Sequence, residues 1–115
     1  MLPSAERLRA KSAFQQVFAG GQSYVDGGPG LVVVHVLRRE GPERCCGFSV
    51  SKKVGNAVVR NRVKRRLREL YRARLPGIAA GHWLVVVARS KAAGATYGAL
   101  GAALDLALRR AGLAP

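Results

Sequence analysis

Between positions 52 and 74 the chain places ten basic side chains against a single acid, Glu69. They are Lys52, Lys53, Arg60, Arg62, Lys64, Arg65, Arg66, Arg68, Arg72 and Arg74. Groups of this kind at this density neutralise phosphates; they do not by themselves break bonds. The 115 residues carry 20 Lys and Arg against six Asp and Glu, a net charge of +14. About a fifth of the chain therefore holds most of the excess. Such a surface calls for a polyanion, and nucleic acid is the abundant one. Hydrolytic chemistry finds little support. A two-metal site needs several converging carboxylates, yet the acids are scattered, except for Glu40 and Glu43 in a turn. His35 and His82 fall in or beside expected strands, far from any acid pair that could orient them as general acid or base. Cys45 and Cys46 are neighbours, ill placed to bridge each other and too few for a zinc site. The reading is no catalytic residue, no metal ligand, and a reduced cytoplasmic compartment.

The elements that must hold these charges can be read from pattern. Ser12-Ala13-Phe14-Gln15 fits a capping box, with Ser12 as N-cap of a helix running to Ala19 and stopped by Gly20-Gly21. Tyr24 belongs to a short early strand, and residues 26–30 form a loop. Leu31–Leu37 is a Val-rich run of strand length. The Gly41-Pro42 turn suggests that the next strand, Arg44–Ser51, pairs with it as an antiparallel hairpin. Asn56 caps a long helix from Ala57 to Leu75, ended by Pro76-Gly77. His82–Arg89 is a further apolar strand, parallel to its predecessor across the helix. Thr96 caps a last helix to about Arg110. No apolar run approaches the ~20 residues of a membrane span. Glu6, Arg7, Arg9 and Lys11 argue against an export signal. One domain covering residues 1–115 is expected.

The long helix has two faces. Val59, Val63, Leu67 and Leu70 form an apolar stripe with Tyr71 on its edge. Asn61, Arg65, Arg68 and Arg72 lie within about 60° of one another on the opposite side, flanked by Arg62 and Lys64. Like charges stacked in this way repel, and a bound polyanion relieves the repulsion. Lys52 and Lys53 precede the helix N-terminus at Asn56, where free N–H groups favour phosphate. Phe14 and Phe18 share one face of the first helix. Spacing alone favours core packing for them, although exposed aromatics can also stack single-stranded RNA bases.

The run from Gly47 to Glu69, with Arg60-Asn61-Arg62 followed by Lys64-Arg65 at its centre, resembles the signature segment of the bacterial ribonuclease P protein family. Phe14-x-x-Val17-Phe18 followed by Gly21, and Leu84–Arg89, resemble its first helix and later strand. The resemblance implies an α+β fold, an α/β sandwich of order α-β-β-β-α-β-α. It implies a four-stranded sheet like that of a small-subunit ribosomal protein domain, with a left-handed β-α-β crossover, where general statistics favour the right-handed form. It further implies an accessory subunit of a ribonucleoprotein endonuclease that removes the 5′ leader of precursor tRNA. The RNA subunit would hold Mg2+ and do the chemistry, and the protein alone would bind no cofactor. Carried over by position, Lys52, Lys53, Asn56, Arg60, Asn61, Arg62, Lys64, Arg65 and Arg68 would face the catalytic RNA. Phe14 and Phe18 would line the leader cleft, with Val32, Val34 and Ser49 from the sheet. Some members carry an aromatic on the second strand there; this chain offers only Val, so one stacking partner is missing. Neither membrane nor DNA is an expected partner. Two rivals remain open: a ribosome-type structural RNA binder without a cleft, and a self-contained nuclease or DNA-binding module.

Overall fold

A computed structural model of the chain describes residues 7, 8, 10–28 and 30–115. Glu6, Arg9 and Pro29 of the expected N-terminus and loop lie outside them. The elements are α1 (Lys11–Gly20), β1 (Gln22–Val25), β2 (Val32–Arg38), β3 (Arg44–Val50), α2 (Ala57–Arg74), β4 (His82–Ala88) and α3 (Tyr97–Arg110). Short 3₁₀ turns at Leu75–Gly77 and Ser90–Gly94 follow α2 and β4. The expected order, including the early strand at Tyr24, is the one found.

Three boundaries follow the chemistry read from the residues. Asn56 caps α2 by accepting the Val59 N–H at 3.0 Å, and Thr96 caps α3 by accepting the Ala99 N–H at 3.1 Å. The helix α1 stops where Gly21 must pass close to the sheet. A Cβ there would sit 2.5 Å from the Val36 carbonyl oxygen and 2.6 Å from that of Val17. The start of α1 corrects the capping box: Ala10 is the N-cap, without a side-chain bond, and Ser12 lies inside the first turn.

The four strands lie in the order β1-β2-β4-β3. The strands β3 and β4 are parallel, joined through α2, as expected. The hairpin between β2 and β3 does not form. Instead β4 enters between them and pairs antiparallel with β2 along seven residues, Val32↔Ala88 to Arg38↔His82. The two Val-rich strands, β2 and β4, thus take the doubly flanked positions. The strands bearing Gln22, Ser23, Arg44 and Ser49 take the edges, where polar groups meet water.

The sheet separates two apolar layers. On one face α2 and α3 bury Val63, Leu67, Leu70, Tyr71, Leu100, Leu104 and Leu108 against Val32, Val34, Val36, Cys46, Phe48, Leu84 and Val86. On the other, α1 buries Ala13 and Val17 against Leu8, Cys45 and Val85, with Phe14, Leu37, Trp83 and Val87 half-buried around them. Emptying a site such as Leu67, wholly buried, costs about 2–5 kcal/mol. Cys45 and Cys46 are both buried thiols.

Asp26 anchors the loop between β1 and β2. Its buried carboxylate accepts the N–H groups of Gly30, Leu31 and Val32 at 3.0, 2.6 and 3.2 Å. Gly27 and Gly30 supply the positive φ angles, 82° and 70°, that bring the backbone round it.

Candidate nucleic-acid interface

The basic side chains of α2 divide by what they touch. Asn61, Arg65, Arg68 and Arg72 are exposed on the side away from the sheet, as the helical spacing predicts. Lys52, Lys53 and Asn56 are exposed at the approach to its N-terminus. Arg60, Arg62 and Lys64 are half-buried. Arg62 is tied down, its Nη2 donating to the Ala93 carbonyl at 3.3 Å. Arg66 makes the corresponding contact with the Ala95 carbonyl at 3.4 Å, and Arg74 pairs with Asp105 of α3. Arg62, Arg66 and Arg74 therefore brace the helix, and Arg65, Arg68 and Arg72 are left for a ligand. Val58 is 75% exposed at the start of the same outer face. Its angular position beside Asn61 sets it off the apolar stripe.

The opposite face of the sheet offers a different surface. Phe14 and Phe18 project from α1 to two different strands. Phe14 lies on the bare backbone of Gly47 in β3, where an added Cβ would be 2.4 Å from its Cζ. Phe18, 44% exposed, meets His35 of β2 edge to face, with ring centroids 4.9 Å apart. Gly47, Val85 and His35 stand in one cross-strand row, so the two phenylalanines bracket β4. The adjacent row runs Val25, Val33, Val87 and Ser49, one residue from each strand. Val33, Val87 and Ser49 are half-buried and Val25 is exposed. An apolar floor with aromatic walls results.

Phe14, Phe18 and Ser49 thus share this face. Val32 and Val34 do not. Both are fully buried beneath α2 and α3, because side chains alternate along a strand. Val33 and His35 hold the positions expected of them. His35 places a ring on β2 at this face, against Phe18. Burial lowers its pKa and so favours the uncharged ring.

Fold and surfaces together define a class: an α+β nucleic-acid-binding protein with a basic helix on one side of its sheet and an aromatic groove on the other. The chain belongs to the bacterial ribonuclease P protein family, whose model, Ribonuclease P, matches residues 2–112. The ribonuclease P protein component of Salinispora tropica is 44% identical, over 96% of this chain and 93% of its own. That of Symbiobacterium thermophilum is 40% identical, over 97% and 96%. Among solved structures, the Staphylococcus aureus RNase P protein matches with a TM-score of 0.85 at 31% identity, covering 97% of this chain and 100% of that one. The Thermotoga maritima protein matches with a TM-score of 0.77 at 28% identity, covering 90% and 96%.

Proposed function

We propose that the chain is the protein component of ribonuclease P, acting in the cytoplasm as a single RNA-binding domain. In this reading the outer face of α2, with Lys52, Lys53, Asn56, Asn61, Arg65 and Arg68, docks on the catalytic RNA, flanked by the half-buried Arg60, Arg62 and Lys64. The groove beside α1, with Phe14, Phe18, Ser49, Val33 and His35, holds the single-stranded 5′ leader of precursor tRNA. The observation that carries it is the presence of two unlike surfaces, a basic helix and an aromatic groove, in a chain matched to this family along nearly its whole length. Basic groups on one side suit the phosphates of a folded RNA. Stacking rings on the other suit unpaired bases.

The protein's contribution is binding and placement. Neutralising phosphates lets two polyanions approach, and holding the leader adds affinity that mature tRNA does not receive. Mg2+ would be held by the RNA subunit, where it would activate the attacking water and stabilise the leaving oxygen. Among the described residues, no group of three His, Cys, Asp or Glu could hold a metal, and no helix is long and apolar enough to cross a membrane.

Reconstitution tests the reading. The protein is mixed with a bacterial ribonuclease P RNA at low Mg2+ and given precursor tRNA, beside RNA-alone and protein-alone controls. Cleavage at the mature 5′ end in the mixture alone is expected. Cleavage by the protein alone would make it a nuclease. A folded protein that adds nothing to a matched RNA would be a structural RNA binder.

A further inference from the structure

The strand β3 forms one edge of the sheet and is only partly covered: Leu8 donates its N–H to the Cys46 carbonyl at 2.9 Å. Between this edge, α1 and α2 opens a cleft of about 550 Å³. That volume lies within the ~300–1,000 Å³ of small-ligand sites. Its walls are chemically unlike. One carries the Phe14 ring over Gly47, with Arg7 and Leu8 also in the lining; the other carries Lys64, Arg65, Arg68 and Glu69. Glu69 is the one acid of α2. Among the described residues it forms no ion pair, although Arg65 stands four residues before it.

A carboxylate among phosphate-binding groups repels phosphate, so its use must be toward another part of the ligand. The bases differ in what they offer it. Guanine presents two adjacent donors, N1–H and N2–H, which match the two oxygens of one carboxylate. Adenine and cytosine present one donor beside an acceptor. Uracil presents one donor between two acceptors, and those acceptors face the negative charge. Phe14 adds a π-face that any base can use.

We infer that this cleft takes one guanine nucleotide of a bound RNA. Its phosphate lies against Lys64, Arg65 and Arg68, its base rests on Phe14, and its Watson–Crick donors meet Glu69. The inference rests on the RNA-binding reading above. The nucleotide can come from the precursor leader or from the catalytic RNA, because both present the same chemistry.

The full chain is titrated with GMP, AMP, CMP, UMP and inorganic phosphate, following the Gly47 and Glu69 amides by NMR. GMP is expected to bind about tenfold more tightly than the other nucleotides, and Glu69→Gln to abolish that preference while AMP binding persists. Equal affinity for all four nucleotides, or shifts confined to other residues, would overturn the site. A photocrosslinker on Glu69→Cys in the holoenzyme then locates the source. Attachment to a leader guanosine or to an RNA-subunit guanosine supports the site, and attachment to neither RNA refutes it. If the unaltered chain stimulates processing while GMP shows no preference, the pocket fails and the role stands. If it does not stimulate processing, the role fails, and the nucleotide titration still decides the pocket.

Discussion

Phe18 reaches from α1 to touch His35 of β2 edge to face, at 4.9 Å between ring centroids. The contact leaves the Phe18 ring half in solvent, beside a floor of valines. A ring held in this way does not fill the core, and the proposed function gives it a base to stack on.

Phe18→Ala should therefore weaken binding of precursor tRNA by the holoenzyme, by about 1–3 kcal/mol if one base is stacked. Mature tRNA, which has no leader, should bind as before. Filter-binding constants for both RNAs check this. Equal losses for the two would show that Phe18 serves the fold and not the leader.

Affinity for the catalytic RNA should fall by roughly 10³ or more between 50 and 200 mM salt if six or more phosphates are neutralised. Arg65→Ala and Arg68→Ala should each reduce the salt slope by about one, with the thermal melt unchanged. Arg62→Ala should lower both affinity and melting temperature, because its guanidinium also holds the Ala93 carbonyl. A flat salt response would count against the basic face.

His82 gives stability a pH dependence. It is fully buried, and the Ala80 backbone offsets only part of the cost of charging it there. Burial first, then the charges of Arg38 and Arg44, lower its pKa from 6.5 to about 4. Between those values the unfolded chain binds the proton and the folded chain does not, so stability rises with pH from about 4 to 6.5 and is flat above. The full span is worth about 3 kcal/mol. Urea melts at pH 4.5 and 7 should differ accordingly, and His82→Leu should remove most of the difference.

Asp26→Asn should cost about 3 kcal/mol, because three backbone N–H groups lose a charged acceptor. Burial alone would raise the carboxyl pKa. The N–H donors of Leu31, Val32, Gly30 and Gly28 outweigh it and leave the pKa below 3.8. The charged form thus contributes fully above pH 3.8, and its contribution disappears as the pH falls through the lowered value. Thermal melts of both proteins from pH 3 to 7 should converge at the acid end.

Much of this was legible in the residues. Asn56 and Thr96 announced their helices, and the spacing of Val63, Leu67 and Leu70 against Asn61, Arg65 and Arg68 gave α2 both its faces. What failed was non-local. The turn after β2 looks like a hairpin turn, and nothing near it reveals that β4 will take the place beside β2. Val32 and Val34 face α2 and α3 and not the groove, which the residues hide because β2 is apolar on both sides. In a strand apolar on each face, alternation is nearly silent. His35, the one polar residue inside that run, marked the open face. The Ser12 pattern misled because Ala10 already occupies the capping position.

The row Val25, Val33, Val87, Ser49 takes its spacing from the sheet's own hydrogen-bond ladder. At about 4.8 Å between strands, the floor of the groove is some 14 Å long, and no side-chain substitution changes that length. Three of its four residues offer no donor or acceptor to a base edge. In the proposed reading this floor sets how much unpaired strand can lie across it, and any preference for one base falls to the cleft between Phe14 and Glu69.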